Sequence, residues 1–463
     1  MEKPRSEIAE ATVRCPAAKC PGHPGNGLSS PDTVSVLVNF LMHVAIITAG
    51  GAGMFCGSCM LDNTLARAMQ ANGVEVTLIP TYTPTRTDEK NASMSRVFFG
   101  GINVYLDSKV GFWKKLPSGL VKWLNNPKLI GLATKLSVSN DAKELGELTV
   151  QMLDGPQGPQ KREVHELVQF LTEQLKPDAV LFSNALLSGV MPTLRERFKG
   201  KVFCMLQGDD IFLDDLVEPW ATRAMDRIKQ HAQLFDGMIA HSEFYRDRMS
   251  GYVGVPEERF HIVAPGIDLT GHDGSPRDTN QPFTVGYFAR VCPEKGFEKA
   301  VAGFQAFHKR HPNSRFLAAG YLGKRDDKFF KRVTKSAKNL GDAFEFCGSP
   351  DEREGKIAFL KRLDVLTVPT VYEEPKGLYV LEALANGVPV VQPAHGAFPE
   401  LIKRTGGGLL CEPNNAESLA DSLEQLMQDS DLRRQLAEAG HRAVHDLCGA
   451  QAMAERIVQV LSS

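Results

Sequence analysis

The sequence predicts an α/β protein made of two doubly wound domains that face each other across a cleft. Three observations predict it. Short β-branched or apolar runs alternate with amphipathic helical stretches along most of the chain, the pattern of a parallel sheet covered on both faces. A polar, turn-rich break, Thr270-Gly271-His272-Asp273-Gly274-Ser275-Pro276-Arg277-Asp278-Thr279-Asn280, interrupts that alternation, which then restarts. The length, 463 residues, exceeds what one compact core holds.

Taken in order, residues 1–33 are rich in Pro, Gly and Ser, show no helical or strand period, and read as disordered. Met42 stands directly before the first strand, so residues 1–41 are expected to be a dispensable extension. The expected strands of the first half are 43–48, 75–80, 179–183, 201–206, 237–240 and 260–264, with helices over 61–71, 164–175 and 223–234 among them. After the break come strands at 283–290, 315–319, 343–347, 364–369 and 389–392, and a helical tail over 416–461. The domains expected are therefore 42–269, a linker at 270–282, 283–445, and a C-terminal helix at 446–463. Sheets of this kind bind ligands beyond the carboxyl ends of their strands.

Composition narrows the function. The chain is 43% hydrophobic and 23% charged, ordinary for a globular protein, and its formal charge of −2 argues against a general nucleic-acid binder. Nine cysteines without a disulfide-like framework fit a reducing, cytoplasmic setting. Cys15 and Cys20 lack a second ligand pair at finger-like spacing and do not make a metal site. The apolar run at 34–48 contains Ser35, Asn39 and His43 and is too short to span a bilayer.

Two segments carry chemistry. Gly50-Gly51-Ala52-Gly53 follows the first strand and leads towards a helix, where glycines let a ligand approach the backbone and free N–H groups favour phosphate. A dinucleotide fingerprint is not met, since Cys56 stands where a third glycine would fall and the next strand ends in Ile79-Pro80-Thr81 without an acid for a ribose. A tight structural turn is the competing reading. The stronger segment is Tyr372-Glu373-Glu374-Pro375-Lys376-Gly377-Leu378-Tyr379-Val380-Leu381-Glu382-Ala383-Leu384-Ala385-Asn386-Gly387-Val388-Pro389-Val390-Val391. It reads as strand, turn, helix and strand, with Glu374 in the turn and Glu382 roughly 7–8 Å along the helix. One carboxylate can meet each end of an extended ligand, with an anion held at the helix start between them. Against plain surface charge stands the apolar flank of Glu382, formed by Leu381, Ala383 and Leu384.

This segment resembles the donor motif of the retaining family-4 glycosyltransferases, whose two-Rossmann-domain fold is called GT-B. The resemblance extends to Gly286-Tyr287-Phe288-Ala289-Arg290-Val291-Cys292-Pro293-Glu294-Lys295-Gly296, to Pro265-Gly266-Ile267-Asp268, to Phe346-Cys347-Gly348 and to the glycine loop at Gly50. It covers most of the C-terminal half, and the N-terminal half mainly at its first strand and loop. It implies transfer of a sugar from a nucleotide-diphosphate sugar, with retention of anomeric configuration, and no metal or other cofactor. It further implies that Glu374 binds hydroxyls of the donor sugar and Glu382 the nucleotide ribose. Arg290 and Lys295 would hold the diphosphate and stabilise charge as it leaves; an ordinary loop salt bridge is the bland alternative for those two. Gly51 and Gly53 would close over the phosphates, Gly377 and Leu378 would meet them at the helix start, and Phe346 and Gly348 would contact the base.

One departure stands out. Many family members carry a His after a strand of the first domain, near the sugar, where this chain has Gln207 in Met205-Leu206-Gln207-Gly208-Asp209-Asp210. Gln207 can hydrogen-bond a sugar hydroxyl but takes no proton, and Asp209 is a second candidate. The acceptor is thereby left open among a sugar, a lipid and a small molecule. Between Ser108 and Asn140 lie Lys109, Lys114, Lys115, Lys122, Lys128 and Lys135 with no acid, and Leu116, Leu120, Trp123 and Leu124 at helical spacing. Packing on the first sheet is the preferred reading of that stretch, ahead of peripheral contact with an anionic membrane. Cys56-Gly57-Ser58-Cys59 at a helix start is read as loop packing in preference to redox chemistry. The alternatives to transfer are a nucleotide-sugar-binding protein without turnover and, behind it, a Cys-x-x-Cys thiol oxidoreductase.

Overall fold

In the computed structural model, the chain is described over residues 42–50, 56–99, 142–274, 282–350 and 352–463. Gly51, Gly53, the extension at 1–41 and the lysine-rich stretch lie outside the described residues.

The first half runs β1 (His43–Thr48), α1 (Gly57–Ala71), β2 (Glu75–Pro80), α2 (Ala142–Leu153), α3 (Lys161–Gln169), β3 (Ala179–Phe182), α4 (Met191–Arg197), β4 (Lys201–Met205), α5 (Asp209–Leu213), α6 (Trp220–Ala232), β5 (Gly237–Ala240), α7 (Glu243–Val253) and β6 (Phe260–Ile262). The second half runs β7 (Phe283–Phe288), α8 (Phe297–Arg310), β8 (Ser314–Ala319), α9 (Asp327–Ser336), β9 (Phe344–Phe346), α10 (Arg353–Leu360), β10 (Val365–Leu366), α11 (Leu378–Ala385), β11 (Val390–Pro393), α12 (Phe398–Thr405), β12 (Gly408–Cys411), α13 (Ala416–Gln428), α14 (Ser430–Leu447) and α15 (Ala450–Ser462).

These strands form two six-stranded sheets, ordered β2-β1-β3-β4-β5-β6 and β12-β11-β10-β7-β8-β9, with every pairing parallel. Strand order reverses between β1 and β3 in the first and between β7 and β10 in the second, and such reversals open a crevice at the strands' carboxyl ends. Burial follows the two-residue period of a strand covered on both faces. In β1, Val44 and Ile46 join one core cluster while Ala45 and Ile47 join the other. The second sheet has its own core around Val285, Tyr287, Phe304, Phe316 and Val390.

The last helix returns to the first sheet. Met453, Ile457 and Leu461 of α15 pack with Val44, Ile46 and Leu65. The return is fixed by two backbone bonds, Ile267 N–H to Cys448 O at 3.0 Å and Ala450 N–H to Ile267 O at 2.9 Å. The described residues from Met42 onward thus fall in one compact unit. Among the described residues no helix is long and apolar enough to cross a membrane.

Several elements differ from expectation. Strand 364–369 shortens to Val365–Leu366, because the chain turns at once, with Thr370 N–H bonded to Val368 O at 2.8 Å. The helix expected over 164–175 begins at Lys161 and passes into a π-helical turn at Phe170–Leu175. Helix α1 begins four residues ahead of the expected start, at Gly57. Strand β12 was not expected at all: Gly406-Gly407-Gly408 reads as turn, and the strand exists because β11 offers it an edge to pair with.

Candidate functional site

The loop leaving β7 carries Arg290 and Lys295 to the crevice beside β10. The Tyr287 hydroxyl donates to Arg290 O at 2.9 Å, and Val371 N–H donates to Glu294 O at 3.0 Å, which binds this loop to the segment that follows β10. Gly296, at φ +69°, closes the loop against that segment; a Cβ there would run into the Pro369 carbonyl oxygen, so only glycine lets the two approach. Lys295 is thereby set beside Glu374, with Nζ donating to Oε2 at 2.7 Å.

Glu374 is buried, at 3% exposure. Besides Lys295 it accepts hydrogen bonds from the Tyr372 hydroxyl at 3.0 Å, the Tyr379 hydroxyl at 3.1 Å and Gly377 N–H at 3.3 Å. Burial pushes its pKa up, but the Lys295 charge, the Lys295 and Tyr372 hydrogen bonds and the Gly377 N–H outweigh it and bring it down to about 2. Gly377 itself caps α11 at φ +66°. Its N–H is taken up by Glu374, a different task from meeting phosphate.

One turn into α11, Glu382 accepts from Lys356 Nζ at 2.8 Å, and the same ammonium lies 2.5 Å from Asp88 Oδ2. Burial raises the Glu382 pKa, with Lys356 pulling the other way. Asp88 comes from the first-sheet side and Lys356 from α10, so the pair ties the two sheets' sides together across the crevice. Arg353 adds to the tie through Glu89 at 2.6 Å and Asp268 at 2.7 Å.

The first sheet contributes a buried polar chain at its carboxyl edge. Thr48, at the end of β1, donates to Asp62 Oδ2 at 2.6 Å; Gln207, after β4, donates to Asp62 Oδ1 at 2.9 Å and to Ser183 O at 3.1 Å. Gln207 Oε1 accepts from Lys376 Nζ at 2.7 Å. Burial lifts the Asp62 carboxyl to about 7 despite the Thr48 and Gln207 donors, and burial pulls the Lys376 ammonium down. The glycine loop enters this edge through Gly50, at φ +87°, where any Cβ would strike Thr83 O.

Arg290, Lys295, Glu374, Leu378 and Glu382 all line one cavity of about 360 Å³ between the two sheets, together with Cys56, Asp88, Tyr321, Lys356 and Lys376. The other expected residues fall elsewhere. Gln207 is buried, with both ends of its amide bonded to protein partners. Asp209 is equally engaged: Oδ1 accepts from Ala185 N–H at 2.5 Å and Oδ2 from Gln207 N–H at 2.9 Å, so it braces the loop after β4. Phe346 packs on Phe330 with ring centroids 4.8 Å apart, and Gly348 O accepts from Gly320 N–H at 2.9 Å. On that side the cavity is lined by Gly320, Tyr321, Ser349 and Pro350.

Sequence reasoning missed Lys356, Asp88, Lys376 and Asp62. A cation inside the Glu374–Glu382 segment was a signal for Lys376, and an acid in an otherwise apolar helix face was one for Asp62. Nothing local marks Asp88 and Lys356, which are far apart in sequence.

Residues 273–443 match the family Glycosyl transferases group 1. The matched stretch takes in the second sheet with its cavity-facing loops. The D-inositol 3-phosphate glycosyltransferase of Corynebacterium aurimucosum is 37% identical over 247 residues, 49% of this chain and 56% of that protein. The glycogen synthase of Mycobacterium tuberculosis is 26% identical over 245 residues, 53% of this chain and 56% of that protein. The chain spans about half the length of these curated relatives. Among solved structures, Anabaena HepE in complex with UDP superposes with a TM-score of 0.62 at 16% identity, covering 91% of this chain and 100% of that one. Sucrose-phosphate synthase of Thermosynechococcus elongatus gives 0.66 at 18% identity, covering 91% and 98%. The two sheets together accordingly have the GT-B fold.

Proposed function

We propose that the chain is a retaining glycosyltransferase that moves a sugar from a nucleotide-diphosphate sugar to an acceptor hydroxyl, with the donor in the cleft between the sheets. The observation that carries this reading is the convergence of Glu374, Glu382, Arg290 and Lys295 on one cavity. Glu374 stays ionised at neutral pH and presents its carboxylate to donor-sugar hydroxyls. Glu382 has one oxygen on Lys356 and turns the other to the ribose. Arg290 and Lys295 meet the diphosphate, the guanidinium bidentately and the ammonium as a point charge.

Charge grows on the diphosphate as the glycosidic bond breaks, so cations fixed at that position lower the barrier more than they tighten ground-state binding. The departing phosphate takes the acceptor proton on the face it leaves, which retains configuration and requires no separate base. The acceptor enters from the first-sheet side; a lipid acceptor, with peripheral membrane contact through residues 108–140, is the variant of this reading that liposome flotation tests.

A thermal-shift panel of UDP, GDP, ADP and their sugars tests the donor assignment. A ligand near a hundredfold excess over its Kd adds about 2.7 kcal/mol to stability, a readily measured shift. No shift with any of them would sink the reading. Release of free sugar from the stabilising donor then separates an enzyme from a binder without turnover, and the anomeric configuration of the product tests retention.

A further inference from the structure

The Cys56-Gly57-Ser58-Cys59 motif plays no part in the proposed transfer, yet its geometry is that of a reactive thiol pair. Cys56 is the N-cap residue of the fifteen-residue α1, in extended conformation at φ −109° and ψ 120°. Its side chain is partly exposed and lines the cavity, while Cys59, one turn on, is buried. Residues three apart at a helix start lie about 5–6 Å apart, within reach of a disulfide. Lys376 enters from the opposite side of the crevice. Its Nζ donates to Ser58 Oγ at 3.0 Å, inside the motif, and its other partner, Gln207 Oε1, is also neutral. A buried ammonium is thus placed against the motif with two neutral oxygens as its hydrogen-bond partners. Cys59 in turn accepts from Thr48 Oγ1 at 3.8 Å.

We propose that Cys56 and Cys59 are a reversible thiol–disulfide site on the cleft wall, with Cys56 as the attacking thiolate, Cys59 as the resolving thiol, and low-molecular-weight disulfides as the reagent. The Cys56 thiolate attacks one sulfur of the disulfide, forming a mixed disulfide and expelling one thiolate with its electron pair. Cys59 loses its proton to solvent and attacks Cys56 Sγ, expelling the second thiolate. The two cysteines lose two electrons and two protons, and the reagent is reduced to two thiols. The groups that face Cys56 are Cys59 from α1 and Lys376 from the segment before α11. The hydrogen bond from Cys59 is the largest influence and the Lys376 charge acts in the same direction, so that the Cys56 pKa falls to about 5 against the opposing effect of burial. The site lies on the wall of the cavity assigned to the donor, and its thiol chemistry is separate from the transfer step.

The test uses the full chain and peptide-level mass spectrometry, so it reads independently of transfer activity. Alkylation of Cys56 by iodoacetamide should be half-maximal near pH 5. At pH 6 it should run about tenfold faster than an unperturbed cysteine peptide, the larger thiolate fraction being partly offset by lower nucleophilicity. Lys376→Gln should move the midpoint upward by about a unit. With glutathione disulfide as the probe, the wild type should end with a Cys56–Cys59 disulfide that dithiothreitol reverses. Cys59→Ser, a mild change that tests the proposal even if Lys376→Gln unfolds, should stop at glutathione on Cys56. Alkylation of Cys56 that climbs through about pH 8.5 like a free thiol, or a Cys59→Ser protein that takes up no glutathione at Cys56, would overturn the proposal.

Discussion

Replacing Glu374 with Gln keeps the side-chain volume and removes one charge. The native carboxylate accepts from Lys295 Nζ, two tyrosine hydroxyls and Gly377 N–H. The amide offers one acceptor oxygen and turns an NH2 group towards donors. Lys295, with its side chain 20% exposed, loses its counter-charge. Breaking a buried pair from one side costs about 3–5 kcal/mol. Proton linkage gives a second route to the magnitude. A carboxyl lowered from an ordinary glutamate's pKa of about 4.3 to about 2 contributes about 3 kcal/mol. Because the folded-state pKa is the lower one, that contribution is fully present above about pH 4.3 and disappears as the pH falls towards 2. Urea denaturation should therefore find Glu374→Gln about 3 kcal/mol less stable than wild type at pH 7, with the difference about halved by pH 3. A variant as stable as wild type at pH 7, or a difference that stays constant from pH 7 to pH 3, would refute the reasoning. The same variant should lose transfer, since the donor sugar would lose its acceptor carboxylate.

Arg290→Ala should lower kcat roughly tenfold to a hundredfold with donor affinity little changed, the signature of an interaction that strengthens in the transition state. Glu382→Ala should instead weaken donor binding by roughly the same factor, measured by calorimetry with the stabilising nucleotide. Lys356→Met leaves Asp88 and Glu382 facing each other across the crevice without the ammonium that joins them. It should cost about 3–5 kcal/mol in urea denaturation, and a neutral result would mean that the tie between the two sides is not there. Cys56→Ser/Cys59→Ser should keep most transfer activity when reduced, because the proposed chemistry uses no thiolate; full inactivation of a folded double variant would place a cysteine in the reaction.

The fold was legible because its determinants are periodic and local. Strands buried on both faces must be apolar throughout, and β1, β2 and β5 fall where the apolar runs fall. The misses come where pairing partners override composition. Gly408–Cys411 is a poor strand by its residues and becomes one because β11 leaves an open edge. Val365–Leu366 sits in a longer apolar run, but the backbone must turn after it to bring the Glu374 segment beside Lys295. The shortened strand is thus a consequence of building the site.

The candidate site divides along the same line. Arg290, Lys295, Glu374 and Glu382 sit in two continuous stretches whose spacing already encodes a loop and a helix, and the cavity receives all four. Gln207 and Asp209 were legible as polar residues after a strand, but their hydrogen-bond partners were not. Whether such a residue faces a ligand or its neighbours depends on donors from other elements, here Lys376 for Gln207 and Ala185 for Asp209. The Asp88–Lys356–Glu382 chain is less legible still, since each charge alone looks like solvated surface and acquires meaning only when folding removes water from all three. Placing a cation against the carboxylate expected to bind ribose has a consequence for specificity. With its charge balanced by Lys356, Glu382 in the proposed role would accept a hydrogen bond from a hydroxyl without carrying an uncompensated charge into the cleft, which suits a neutral diol. A nucleotide lacking ribose hydroxyls should then bind more weakly than its ribose counterpart, and Lys356→Met should narrow that difference, because burial raises the Glu382 pKa and losing Lys356 removes a charge that lowers it, which disfavours the strongly accepting carboxylate. Equal affinity of UDP and its 2′,3′-dideoxy analogue, in a protein that binds UDP, would contradict this account of Glu382.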